Sequence, residues 1–345
     1  MKLIDLVKYR NTLQTIVSSK DDDLDFMNIR RQVFLELTNF NSKLNLDNLD
    51  IKNIKQNMIL TQQEIEKNLE LLYSHLNRFI EELNKMIADL EPTYHEISKE
   101  ISLADQNKSL ESKEHSYDYG HLFISSPYTE REPSVPKKKF IGTMLKSVNF
   151  KWPGLELGPV TGELTKNLVP LDPLYLADNI ANRFSRIKKL WNSQYQRRLR
   201  YYVVDDNLED PLKDFPKNQL GFIVAVDWFN YKTQTVIERY VRSAFDILAP
   251  GGVMLFTYNN CNYPKAIDKV DKMHYTYTNG KTLKEFCESI GFKIVSSYDG
   301  EKEINWAISW LELKKPGKRT SLRGGQNIAT INKLWNGDKE WETTY

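Results

Sequence analysis

Apolar residues recur at spacings of three and four along the first third of the chain. The seam of one segment comprises Phe26, Ile29, Val33, Leu37 and Phe40, and that of a longer segment Ile51, Ile54, Met58, Ile65, Leu69, Leu72, Leu76, Phe79, Leu83, Met86 and Leu90. This spacing predicts amphipathic helices, and its regularity over about six heptads is typical of a coiled coil. We expect a helical arm over residues 1–105, with the long helix ended or kinked at Pro92.

The seam of this arm needs a partner, because a helix of that length cannot bury its apolar face alone. Residues 24–101 are therefore expected to form a homo-oligomer or to bind another protein. The alternative is a helical hairpin folded against the rest of the same chain. Residues 106–139 are polar and irregular, which indicates a linker with a lid-like segment.

Beyond residue 140 the pattern changes to short apolar runs separated by helical stretches. The runs are 155–157, 168–176, 200–204, 220–226, 253–258, 292–297 and 304–313, and helices are expected at about 176–199, 233–248 and 282–290. This alternation predicts an α/β domain with a largely parallel sheet over residues 140–315. The last two runs are joined by a short turn, which requires antiparallel pairing. Residues 316–345 are predicted to form an extended tail.

Composition describes a soluble globular chain of 345 residues with 40% hydrophobic residues and a net charge of +2. No apolar run approaches the roughly 20 residues of a membrane helix, and the polar N-terminus lacks a secretory pattern, so a cytoplasmic protein is expected. Cys261, Cys287 and the five histidines do not cluster, so neither a disulfide framework nor a metal site is expected.

Charge is distributed unevenly, with about −6 on residues 1–118 and about +8 on the remainder. The two parts are expected to face different partners. A basic run between Arg183 and Arg198 is more typical of a solvated helix face than of a nucleic-acid site, so nucleic-acid binding is not favoured.

The most informative stretch follows the first apolar run of the sheet, where Gly158-Pro159-Val160-Thr161-Gly162-Glu163 succeeds Leu155-Glu156-Leu157. An apolar run, a glycine turn and a helix start are expected here. Glycine lets the backbone approach a ligand, and a helix start presents unpaired N–H groups to it. The pattern indicates a nucleotide-type pocket.

This stretch resembles the first motif of class I S-adenosylmethionine-dependent methyltransferases. The resemblance implies a Rossmann-like, seven-stranded sheet in which Glu156 holds the methionine end of the cofactor. By the same resemblance Gly158, Pro159, Thr161 and Gly162 line the cofactor. Val160 stands where the family usually has a glycine, and its side chain would narrow the pocket or displace the cofactor slightly.

Further acids are assigned by the same resemblance. Asp172 is the available acid for the ribose hydroxyls at the end of the second strand, unless it caps the following helix. Asp205 or Asp206 would face the adenine amino group, and Asp227 ends the buried central strand. The sequence Leu248-Ala249-Pro250-Gly251-Gly252 is similar to the family's approach to its fifth strand.

The resemblance implies methyl transfer to an oxygen, nitrogen or sulfur atom of a small-molecule or protein acceptor. Asp227, Tyr258 and His274 are the candidates for a general base, and residues 259–264 for contact with the acceptor. The alternative is a structural or adaptor protein that keeps the fold with a weakened pocket. The Asn-, Lys- and Ile-rich composition and modular build suggest a subgroup encoded by tailed bacteriophages, located in the host cytoplasm or, as a neck or tail component, in the virion.

Overall fold

The computed structural model describes two helical segments before the sheet domain and most of that domain. The described residues are 2–18, 69–111, 135–148, 152–159, 162, 164–299 and 309–318. The first part contains helices α1 (Leu3–Ser18) and α2 (Leu69–Glu111), and α3 (Val135–Ser147) precedes the sheet. None of the helices in these ranges has the length and apolar character needed to cross a membrane.

A seven-stranded sheet forms the centre of the domain. Its strands are β1 (Gly154–Leu157), β2 (Leu174–Asp178), β3 (Leu199–Val203), β4 (Leu220–Ala225), β5 (Leu248–Tyr258), β6 (Lys293–Tyr298) and β7 (Ser309–Lys314). They lie in the order β3-β2-β1-β4-β5-β7-β6. The pairs among β1 to β5 are parallel, whereas β7 is antiparallel to both β5 and β6. The predicted Rossmann-like sheet and its antiparallel end are confirmed.

Helices cover both faces of the sheet. They are α4 (Phe184–Leu190), α5 (Ser193–Gln196), α6 (Gln234–Ile247), α7 (Pro264–Asp271) and α8 (Gly280–Ser289). One apolar core lies between the sheet, α6 and α8, and a second lies between the sheet, α3, α4 and α5. Each strand from β1 to β4 except the edge strand β3 is mainly buried, as expected for parallel strands covered on both sides.

The second strand lies further along the chain than the apolar run predicted. Leu168 ends a 3₁₀ turn (Thr165–Leu168), and β2 begins only after Pro173. Proline lacks the N–H that a central strand must donate, so Pro170 and Pro173 keep this part of the run out of the sheet. The predicted helix at 176–199 is also wrong, because β2, a 3₁₀ turn (Ala181–Arg183) and the short helices α4 and α5 occupy that range.

The described part of the arm packs against its own chain. Its apolar cluster joins α1 and α2 to α7, with buried residues that include Leu6, Leu13, Leu76, Leu83 and Ile267. Over residues 69–101 this packing corresponds to the alternative in which the arm folds as a helical hairpin against the rest of the same chain. The predicted coiled coil is not confirmed. Residues 24–68 lie outside the described ranges, so oligomerisation through 24–101 stays a prediction. Pro92 lies inside α2, so it does not end the helix, and the alternative that it kinks the helix stays a prediction.

Candidate functional site

Polar and acidic side chains gather where the parallel strands end. Gly158 follows β1, Asp178 ends β2, Asp206 follows β3, and Asp227 follows β4. Because the carboxyl ends of parallel strands meet at one edge, these residues border a single crevice at the point where the strand order reverses around β1. Ligands of open α/β sheets bind in such a crevice, which makes this edge the candidate site.

The glycine turn after β1 has the backbone geometry that the motif predicted. Gly158 has a φ of +70°, a region that L side chains rarely adopt, and its N–H donates to the Ala177 carbonyl at 2.8 Å. A Cβ on Gly158 would lie 2.5 Å from Cε3 of Trp228. Gly162 has a φ of +78° and donates to the Pro159 carbonyl. Val160, Thr161 and Glu163 lie outside the described residues, so their predicted roles stay predictions.

Glu156 lies within β1 and is buried below the edge rather than exposed on it. Its neighbours across the sheet are Leu176 and Val224, and Oε2 accepts a hydrogen bond from Thr165 Oγ1 at 2.7 Å. Burial raises the pKa of Glu156 from its ordinary 4.5 to about 8, although the Thr165 hydrogen bond opposes the shift. At neutral pH its carboxyl group is therefore mainly protonated. Its predicted contact with the methionine end of a cofactor stays a prediction.

Asp172 does not lie at the end of β2, which corrects the placement expected for the ribose-binding acid. It precedes Pro173 at the opposite, amino end of the strand, where its carboxylate lies 3.4 Å from Nε of Arg198. Asp178 occupies the carboxyl end instead. The signal was in the sequence, because Asp178 stands 20 residues after Gly158, and an acid at about that spacing binds the ribose in dinucleotide folds.

Asp178 is fully buried and is held by its own chain. Its Oδ1 accepts from the Ile180 N–H at 2.9 Å, and the Arg183 guanidinium lies 3.2 Å from Oδ1 and 3.3 Å from Oδ2. Burial raises the pKa of Asp178, while Arg183 and Lys232 act in the opposite direction. The position fits a ribose hydroxyl, but both oxygens already have partners.

The two acids after β3 separate into different environments. Asp205 is exposed and accepts from the Asn207 N–H at 2.9 Å. Asp206 is buried, with Oδ2 at 2.5 Å from Nζ of Lys232 and Oδ1 accepting from the Tyr240 hydroxyl at 2.8 Å. Of the two alternatives for contact with adenine, Asp206 is the one that points into the crevice.

Lys232 crosses this crevice, a feature that the sequence did not indicate. Its Nζ donates to Asp206 and lies 4.3 Å from the centre of the Trp228 ring. The Asn179 amide is assigned the orientation that satisfies both of its polar atoms, in which its oxygen accepts from Lys232 Nζ at 3.1 Å. The Asn179 amide nitrogen in turn donates to Asp178 Oδ1 at 3.0 Å. Asn179 and Lys232 thus link the acids that follow β2 and β3. We call Asp178, Asn179, Asp206, Trp228 and Lys232 the lysine clasp.

The three candidate bases lie in different surroundings. Asp227 is buried at the edge with a φ of +53°, and its backbone N–H donates to Thr257 Oγ1 at 2.8 Å. Tyr258 is fully buried in the core between the sheet and α6, and that burial raises the pKa of its hydroxyl well above 10, which argues against a role as base. His274 is exposed on the turn after α7. Asp227 is therefore the candidate that the fold brings to the crevice.

A buried polar region follows β4 and β5. The Asn230 carbonyl accepts from Thr276 Oγ1 at 3.1 Å, and Asn259 Nδ2 donates to the Thr276 carbonyl at 3.0 Å. Helix α2 reaches this region through Glu91, which accepts from the Tyr277 hydroxyl at 2.9 Å and from Asn279 Nδ2 at 2.6 Å. The arm therefore borders the side of the crevice where residues 259–264 were expected to contact an acceptor.

Comparison with known proteins gives matches to solved structures only. No family model matches this chain, and no curated protein matches it. N-methyltransferase NodS from Bradyrhizobium japonicum in complex with S-adenosyl-L-homocysteine is 14% identical with a TM-score of 0.40, over 58% of this chain and 100% of NodS. An S-adenosylmethionine-dependent methyltransferase from Mesorhizobium loti is 13% identical with a TM-score of 0.42, over 53% and 98%.

A third similar structure is phosphoethanolamine N-methyltransferase 2 from Haemonchus contortus in complex with S-adenosyl-L-methionine. It is 12% identical with a TM-score of 0.41, over 54% of each chain. All three structures are methyltransferases, and the first and third contain product or cofactor, but similarity at this level carries no conclusion about what this chain binds. The strand order and the residues at the edge have to support the functional argument.

Proposed function

We propose that this protein binds S-adenosylmethionine at the carboxyl edge of the sheet and transfers its methyl group to an acceptor that enters beside β4 and β5. The observation that carries the proposal is the convergence of the Gly158 turn with Asp178, Asp206 and Asp227 at one switch point.

The residues at the edge fit an adenosyl group in kind and in position. Asp178 offers acceptors for ribose hydroxyls, and Asp206 offers an acceptor for the adenine amino group. Because Gly158 has no side chain, the Trp228 ring packs directly against the turn, and this ring supplies an aromatic surface there. The fit requires Lys232 to leave the position that it occupies between the acids.

The sulfonium cofactor supplies an activated methyl group, so the protein has mainly to position the acceptor. On the acceptor side Asn230, Asn259 and Thr276 are fully buried, and their hydrogen bonds to one another hold the segments after β4 and β5 in place. Asp227 is the residue placed to take a proton where the acceptor carries one. An acceptor that reaches it has to pass the rim formed by α2.

Calorimetric titration with S-adenosylmethionine and S-adenosylhomocysteine tests the proposal. We expect a dissociation constant in the micromolar range and a stoichiometry of one per chain. Gly158→Asp should abolish binding, because its carboxylate would meet Trp228 and adopt an unfavourable φ. Gly142→Asp is a matched control, since a Cβ at Gly142 meets nothing within 4 Å.

A structural or adaptor role is the second candidate, and one observation favours it. Asp178 and Asp206, the two acids suited to an adenosyl group, are both paired with basic side chains of the same chain. A protein that no longer binds cofactor would profit from such pairing, since buried carboxylates are costly without partners. This role predicts no binding of either ligand at millimolar concentration. Virion assembly and a phage origin stay predictions.

A further inference from the structure

The lysine clasp places a cation where the proposed function requires a nucleoside. Lys232 Nζ is shared between Asp206 and Asn179, and its side chain is only 9% exposed. Its position spans the ends of β2 and β3 and lies over the Trp228 ring. A ribose bound to Asp178 and an adenine bound to Asp206 would occupy the same space.

The contacts of Lys232 are suited to a side chain that can be exchanged. Lys232 donates to Asp206 and Asn179 and lies over the Trp228 ring. A nucleoside offers an amino donor for Asp206, ribose hydroxyl donors for Asp178 beside Asn179, and a flat ring for Trp228, so it can replace these contacts. Lysine also has a long flexible stem, so Nζ can move to solvent without a change in the backbone. Its carbonyl accepts from Thr276 Oγ1 at 2.6 Å, which anchors the main chain in place.

We propose that Lys232 is an internal competitor of the cofactor: it closes the adenosyl subsite in the free protein and is displaced when an adenosyl ligand binds. This inference rests on the proposed function. A closed state reduces apparent affinity by the fraction of molecules that are open. Lys232 therefore sets the cofactor concentration at which the protein becomes loaded, and the hydrogen bond that Asp206 loses on displacement is replaced by one from the ligand's amino group.

The direct test compares S-adenosylhomocysteine binding to the wild type and to Lys232→Met by calorimetry. Methionine keeps the length of the stem and removes the ammonium group. We expect the dissociation constant to fall at least about tenfold, the effect of a closed state populated in about nine molecules of ten. Lys217→Met is the matched control, because Lys217 also pairs with an aspartate, Asp210, at 3.0 Å but lies on the surface.

A second measurement on the wild-type protein covers the case in which Lys232→Met fails to fold. Acetylation of lysines by a succinimidyl ester, followed by mass spectrometry, reports the exposure of Nζ. We expect Lys232 to react slowly in the free protein and at least about fivefold faster with saturating S-adenosylhomocysteine, an increase in line with its move from a buried pair to solvent. Labelling of Lys217 in the same sample corrects for reagent consumed by the ligand.

The outcomes separate the two proposals. Suppose that the wild type binds S-adenosylhomocysteine and that a folded Lys232→Met variant binds it with the same or a higher dissociation constant. This result overturns the competitor role and leaves the proposed function standing. Ligand binding without any rise in Lys232 labelling does the same. Binding to Lys232→Met alone supports both proposals, whereas no binding to either protein at millimolar ligand overturns both and favours the structural role.

Discussion

The protonation of Glu156 gives the sharpest prediction for the folded protein. Its pKa is raised from 4.5 to about 8 by burial, and one pKa unit corresponds to about 1.4 kcal/mol. Because the pKa of Glu156 is higher in the folded than in the unfolded chain, Glu156 contributes fully to the free energy of unfolding below pH 4.5. This contribution is lost as the pH rises to about 8, because the carboxyl group of the unfolded chain ionises first. The free energy of unfolding should therefore fall through this window by up to about 5 kcal/mol from this group.

Glu156→Gln removes the titration and keeps an oxygen that can accept from Thr165. Relative to the wild type, the variant should gain about 4 kcal/mol of unfolding free energy between pH 5 and pH 8.5. Urea unfolding followed by circular dichroism at several pH values measures the difference, in which all other titrations cancel. Glu288→Gln, on the exposed side of α8, is the matched surface control. If the difference in unfolding free energy between Glu156→Gln and the wild type did not change with pH, the conclusion that Glu156 is buried and protonated would be refuted.

Three further predictions follow from the site and the arm. Gly158→Ala should lower the free energy of unfolding by about 1–3 kcal/mol in thermal or urea unfolding, because its φ is positive and its methyl group meets Trp228. Asp178→Asn should weaken S-adenosylhomocysteine binding at least about tenfold in calorimetry, whereas Asp172→Asn, at the other end of β2, should change it less than about twofold. Leu83→Ala should cost about 2–5 kcal/mol irrespective of protein concentration, since Leu83 is buried within the chain; a loss that depends on concentration would indicate an interface between copies instead.

The sheet could be predicted because its signals are local. A glycine turn after an apolar run, a Pro-Gly-Gly turn before the fifth strand and a short turn before the last strand each follow from a few adjacent residues. Their order along the chain then fixed the topology. The second strand was misplaced because its apolar run continues backwards through Pro170 and Pro173, and the hydrophobic pattern alone does not mark where pairing starts.

The clasp could not be predicted because its contacts are non-local. Lys232 and Asp206 are 26 residues apart, and the bond between them forms only because the segments after β3 and β4 meet at the same edge of the sheet. In the sequence Lys232 is a single lysine between the aromatic run 228–231 and the start of α6, and no neighbouring residue marks it as part of a site. The acid that it faces was identified, but only as one of two alternatives, since the turn after β3 decides which carboxylate points inward.

Two features border the crevice, the arm formed by α1 and α2 and the side chain of Lys232. They are held in place with different strength, and this difference indicates which of them moves. The arm is held by an apolar cluster of many fully buried side chains, each worth about 1.5–3 kcal/mol when removed from water. Lys232 is held by one ion pair, one amide contact and one aromatic face, and much of their energy offsets the cost of burying the charge. Opening the adenosyl subsite by rotating one side chain therefore costs far less than lifting α2 from α7. Under the proposed function, the arm would therefore stay fixed beside the acceptor, and Lys232 would be the part that moves when the cofactor binds.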